Sequence, residues 1–164
     1  QLIDFEEQRR LCANSCAIPT TPMADEPSYL ESIFFDFDQS FLRTKSKSEL
    51  DKLYDILVEN PSYTTELRAH TDSKGSIEYN VALSQRRADS AKNYLSNKGI
   101  STSRIATRIY GEDDPIAKNE QGGADSPEGR QFNRRVQLIV LNASGEEVKI
   151  VRDINVPGGL RFSE

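Results

Sequence analysis

An acid, an amide and a base, Asp72, Asn80 and Arg87, stand in one stretch of the chain at spacings that bring them together. Asn80 and Arg87 lie two helical turns apart, so on a helix both project from one stripe. Asp72 comes just before that stripe, across the turn Ser73-Lys74-Gly75-Ser76. A carboxylate and a guanidinium facing one cleft complement a zwitterion, the acid taking an ammonium and the arginine a carboxylate in a bidentate fork. The same residues admit a plainer use. Asp ahead of a helix is a common N-terminal cap, and Arg87 can be solvated or paired with Asp89. Both readings stay open at this level.

Other reactive groups are sparse. The single histidine, His70, neighbours Asp72 and has the chemistry of a general base. No Ser-His-Asp or Cys-His arrangement accompanies it, which favours a hydrogen-bonded structural role and no catalysis. Glu112, Asp113, Asp114, Glu120 and Asp125 lack the alternating ligands and closing Glu of a calcium loop, so they read as a solvated acidic segment, and no metal or cofactor is expected. Cys12 and Cys16 have no histidine nearby to complete a metal site. They are either two thiols or a local disulfide, and a disulfide would fit an oxidising compartment.

Composition narrows the class further. A net charge of -5 and a pI near 5.1 oppose binding to a phosphate backbone, so nucleic acid is not an expected partner. No apolar run approaches the roughly 20 residues of a bilayer helix, so the chain is not expected to span a membrane. Residues 1–11 are polar and amphipathic, unlike a secretory leader, so Gln1 reads as the product of maturation or cutting.

The elements that position these groups follow from periodicity. Residues 1–30 contain the Cys pair and end in Ile18-Pro19-Thr20-Thr21-Pro22, an arm and linker. Ser32 to Asp38 concentrates aromatic and apolar residues and reads as a strand. Ser46-Lys47-Ser48-Glu49 has the form of a capping box, followed by Leu50, Leu53, Tyr54 and Leu57 at helical spacing, with Pro61 as a stop. Tyr63 to Ala69 alternates as a second strand. A long helix is expected from Ile77 to Lys98, with Val81, Ser84, Ala88, Ala91 and Leu95 facing the core and Gly99 ending it. Ile105 to Tyr110 and Arg135 to Leu141 supply two more strands, separated by a polar loop from Gly111 to Arg130 that is either functional or mobile. The result is a two-layer α/β (α+β) sandwich, a βαβαββ-type mixed sheet of about four strands packed by two main helices. Residues 143–164 form a tail that adds an edge strand or trails away.

The run Ala69-His70-Thr71-Asp72-Ser73-Lys74-Gly75, then Tyr79-Asn80, then Leu83-Ser84-Gln85-Arg86-Arg87-Ala88, closely resembles the signature of the OmpA-like domain of outer-membrane porins, peptidoglycan-associated lipoprotein and flagellar stator proteins. Ile33 to Asp38 resembles the opening strand of that family, Gly111-Glu112 with Pro115 its Gly-Glu-x-x-Pro turn, and Asn133-Arg134-Arg135-Val136 its closing motif. The resemblance covers residues 31–142. It implies a non-enzymatic module that binds the meso-diaminopimelate stem peptide of peptidoglycan, periplasmic and associated with the outer membrane through the full-length protein, anchoring that protein to the cell wall. It also implies site positions at Asp72 and Arg87 for the ligand's amino and carboxylate groups, with Phe37, Asp38, Thr71, Tyr79, Asn80, Leu83 and Arg135 around them. Phe37 and Leu83 read equally as core or shielding side chains. Where the family usually has Gly before His-Thr-Asp, this chain has Ala69, whose methyl would narrow the cleft floor slightly. Two alternatives are a stator-type or protein-interaction domain with envelope partners and a cell-wall enzyme using His70 and Asp72.

Overall fold

The computed structural model describes residues 29–162. The N-terminal arm with Cys12 and Cys16 lies outside the described residues. Strand β1 spans Ile33–Phe34, helix α1 Thr44–Glu59, β2 Thr64–His70, helix α2 Ile77–Asn97 and β3 Ile105–Gly111. A small hairpin, β4 (Glu120–Gln121) and β5 (Ala124–Asp125), and a short helix α3 (Pro127–Asn133) precede β6 (Arg135–Leu141). The main sheet runs β1-β6-β2-β3. Its β2–β3 pair is parallel, whereas β6 is antiparallel to both β1 and β2. A mixed, two-layer α+β sandwich is therefore the observed architecture.

Period-2 alternation decides which residues meet the helices. Leu67 and Ala69 of β2 and Val136, Leu138 and Val140 of β6 point one way and are fully buried with Leu50, Leu53 and Leu57 of α1 and Ala88, Ala91 and Leu95 of α2. The small Ala88 and Ala91 let α2 lie close on the sheet. Beyond the end of α1, Arg104 donates to the carbonyls of Leu57, Asn60 and Tyr63 at 2.7–2.9 Å, closing acceptors that the helix end leaves open.

Three local expectations are corrected. The first strand stops at Phe34, because the chain bends through a turn in which Gln39 N–H reaches Asp36 C=O and Asp38 takes a positive φ of 56°. Ser46 is not the cap of α1: the helix begins a turn earlier with Arg43 at its N-cap, and Glu49 instead accepts the Glu31 N–H at 3.0 Å. Val81 is 45% exposed, while Asn80, Leu83 and Arg87 are buried, so the inward face of α2 is rotated toward those residues.

The tail crosses the sheet face that the helices leave open. Backbone bridges tie Val151 to Leu30 and Arg161 to Ala117, and Val156 is buried. Under this strap lies a recess of about 570 Å³ between Gln137 and Ile139 of β6 and Ile154 and Val156 of the tail.

Candidate functional site

Where the inward-facing rows of β6 and α2 reach one end of the sheet, their side chains change from apolar to charged. A cleft of about 340 Å³ opens there. Six of the expected residues line it: Phe37, Asp38, Asp72, Tyr79, Leu83 and Arg87. Lys74, Gly75 and Arg134 complete the lining.

Asp72 lies two residues beyond the end of β2 and is 4% exposed. One carboxylate oxygen accepts the Lys74 N–H at 3.0 Å, an Asx turn that folds the chain back toward α2. The other accepts Nη1 of Arg134 at 3.0 Å, with Nε of Arg130 at 3.8 Å. Ser76 caps α2 by accepting the Tyr79 N–H at 3.2 Å, so Asp72 is not the helix cap. Gly75 sits between them at φ +109°, and a Cβ there would stand 3.1 Å from the Tyr79 ring. Glycine meets both demands of that turn.

Arg87 has no exposed surface. Its Nε donates to Gln39 C=O at 3.0 Å, Nη1 to His70 C=O at 3.1 Å and Nη2 to Asp36 C=O at 3.3 Å, while its guanidinium lies 5.1 Å from the centre of the Phe35 ring. Burial pushes its pKa down to about 10, the Asp72 charge pulling it back up and Arg134 lowering it further. It stays cationic at neutral pH and fixes the end of β2 to the turn after β1. That turn presents Phe37, 60% exposed, and Asp38, which accepts the Tyr79 hydroxyl. Asp38 holds a left-handed backbone that L-residues adopt at a cost, a feature common where a binding loop is over-determined by its surroundings.

Three expected residues do not line the cleft. Thr71 is buried, its N–H bonded to Gly111 C=O at 2.6 Å. Asn80 is buried beneath the Gly75 turn and donates to Glu112. Arg135 is turned to the opposite sheet face, where Nη2 donates to Asp114 C=O at 3.2 Å. The correction is one of strand parity: Arg134, in step with inward-facing Val136, reaches the cleft, so Arg135 must point away. His70 also faces away. It stacks on Tyr110 at 4.7 Å and bonds Gln137 at 3.0 Å, and burial drives its pKa down to about 3, Arg135 adding to the fall and Gln137 opposing it.

The acidic loop has a definite anchor that its own sequence does not announce. Asn133, fully buried, accepts the N–H groups of Ile116 and Ala117 through Oδ1 at 2.9 and 3.1 Å, and returns Nδ2 to Ala117 C=O at 2.8 Å. The hairpin is in turn held at the cleft mouth by Asp125, which pairs with Arg130 and lies 3.5 Å from Lys74. Among the described residues no cluster of three or more His, Cys, Asp or Glu side chains forms a metal site.

This fold belongs to a known class of domain. Residues 34–129 match the OmpA family, and the chain is a member of that family. It is 36% identical over 115 residues to peptidoglycan-associated lipoprotein of Brucella melitensis, covering 70% of this chain and 65% of that protein. It is 41% identical over 106 residues to outer membrane porin F of Pseudomonas fluorescens, covering 65% of this chain and 31% of the porin. The crystal structure of the peptidoglycan-associated lipoprotein from Burkholderia pseudomallei superposes with a TM-score of 0.61 at 27% identity, over 66% of this chain and 88% of that one. The chain thus spans between about a third and two thirds of the length of these two curated relatives. No described helix is long and apolar enough to cross a membrane.

Proposed function

We propose that residues 31–142 bind peptidoglycan non-covalently, through the diaminopimelate of its stem peptide, and so anchor an outer-membrane protein or lipoprotein to the cell wall from the periplasmic side. The observation that carries this reading is a nearly buried carboxylate, Asp72, sharing one small cleft with the guanidinium of Arg87 in a member of the OmpA family. The side-chain end of diaminopimelate bears an ammonium and a carboxylate on one carbon. Asp72 takes the ammonium, the guanidinium side of the cleft takes the carboxylate, and Phe37, Tyr79 and Leu83 cover the aliphatic stem. Thr71 and Asn80 lie beneath the cleft, Thr71 tied through its backbone N–H to Gly111 and Asn80 through its amide to Glu112. No step of this function makes or breaks a covalent bond. A cell-wall hydrolase built on His70 and Asp72 would need the imidazole in the cleft, and it lies on the other sheet face.

Titration calorimetry with a meso-diaminopimelate stem peptide, and a lysine stem peptide as control, tests the assignment. The wild-type chain is expected to bind the first and to bind the second at least about tenfold more weakly, since the lysine form lacks the second carboxylate. Asp72→Ala is expected to abolish measurable binding. Equal binding of both peptides, or an Asp72→Ala chain that binds as wild type does, would refute the zwitterion site.

A further inference from the structure

Three arginines surround Asp72: Arg130, 3.8 Å away, already has Asp125 as its partner, and the other two, Arg87 and Arg134, are held in different ways. Three of the five N–H donors of Arg87 are committed to backbone carbonyls at 3.0–3.3 Å, and the residue has no exposed surface. Its guanidinium cannot turn without freeing the chain at residues 36, 39 and 70. Arg134 has a single backbone anchor, Nε to Phe35 C=O at 3.2 Å, and its other recorded bond is the one to Asp72. Its side chain is 13% exposed. It also forms the wall between two cavities, the cleft and a recess of about 370 Å³ beside β1, so there is space on both sides of it.

An ammonium arriving at Asp72 therefore meets a carboxylate that Arg134 already holds. Displacing Arg134 with a simple cation would leave a mostly buried guanidinium without a counter-charge, which is costly in a low-dielectric setting. A zwitterion avoids that cost, because its own carboxylate replaces the one that Arg134 gives up. The site's net charge is then the same before and after binding.

On the reading of the cleft given above, we propose that Arg134 is a specificity-determining residue that exchanges partners. The ligand's ammonium takes its place on Asp72, and the released fork of Arg134 closes on the ligand's carboxylate from the side opposite the fixed guanidinium of Arg87. Recognition of the two ligand charges is thereby coupled: neither is accepted well without the other.

The test compares a meso-diaminopimelate stem peptide with the same peptide amidated at its side-chain carboxylate, by calorimetry, on wild type, Arg134→Gln and Arg134→Lys, with thermal melts to verify folding. Wild type prefers the free carboxylate. Arg134→Gln is expected to lose about tenfold in affinity for that peptide and to bind the two peptides within about twofold of each other. Arg134→Lys, which keeps the charge but not the fork, retains a reduced preference and serves as the readout should Arg134→Gln fail to fold. Tighter binding by Arg134→Gln would make Arg134 a mere competitor and overturn the exchange, as would a wild-type-like preference in either variant. Failure of wild type to bind either peptide would instead sink the zwitterion reading of the cleft, and the exchange with it.

Discussion

On the helix-covered face of the sheet, β2 presents Leu67 and Ala69, and β6 presents Val136, Leu138 and Val140, all without exposed surface. On the other face the same two strands present Glu66, Arg68 and His70, and Arg135, Gln137 and Ile139. That face is held by pairs: Arg68 with Glu66 at 2.5 Å, His70 with Gln137 and Tyr110, and Arg135 with Asp114. The first face is stabilised by area removed from water, which is insensitive to exact geometry. The second is satisfied only where each polar group finds its partner, and it fails locally when one is removed. The cleft lies where the first face runs out. Along β6 the inward row reads Leu138, Val136, Arg134, and along α2 it reads Leu95, Ala91, Ala88, then Arg87 and Leu83. The site is a continuation of the core in charged residues, which is why its arginines are buried.

The contrast is open to attack by mutation. The largest effect is expected on the apolar face, where Leu138→Ala leaves a cavity opposite Leu67 and should cost about 2–5 kcal/mol in a denaturant titration. A loss under about 1 kcal/mol there would mean that this face is loosely packed. Next comes the pH response of the polar face. His70 is neutral in the fold with its pKa lowered to about 3 from 6.5, so the unfolded chain binds the extra proton first. Its contribution is complete above pH about 6.5 and is lost progressively as pH falls toward 3. His70→Gln should flatten the acid limb of a stability-against-pH curve in that window, and an unchanged slope would contradict the buried neutral imidazole. The smallest effect is expected for Arg68→Ala. Its partner pair is partly exposed, with side-chain exposures of 30% and 15%, and its removal should change stability by about 1 kcal/mol or less. A loss approaching that of Leu138→Ala would erase the distinction between the faces.

Much of this arrangement is legible in the sequence, and for physical reasons. Alternation along β2 and β6 and the helical spacing of Leu50, Leu53 and Leu57 mark the core because burial repeats with the geometry of each element. The run from His70 to Gly75 marks the turn that carries Asp72. Strand parity also contained the answer for the paired arginines: with Val136 facing in, Arg134 faces in and Arg135 out. What resisted reading was set by contacts between distant segments. By composition the first strand continues to Asp38, yet Arg87 captures the carbonyls of Asp36 and Gln39 where the chain bends. The capping box of Ser46 and Glu49 is overridden by a tertiary bond from Glu31. Val148, Ile150 and Val151, around Lys149, show that the tail has something to bury but not which surface receives it.

That strap has a mechanical meaning. Leu30, fully buried, donates its N–H to Ile150 at 2.7 Å and accepts from Arg152 at 2.8 Å, just ahead of β1. Tension arriving along the backbone from residues before Leu30 is met first by this clasp, and part of it passes into the tail instead of into β1. A pull from that side is thus shared between the tail and β1 where it enters the fold, and β1, which pairs with β6 at only two residues, does not meet it alone.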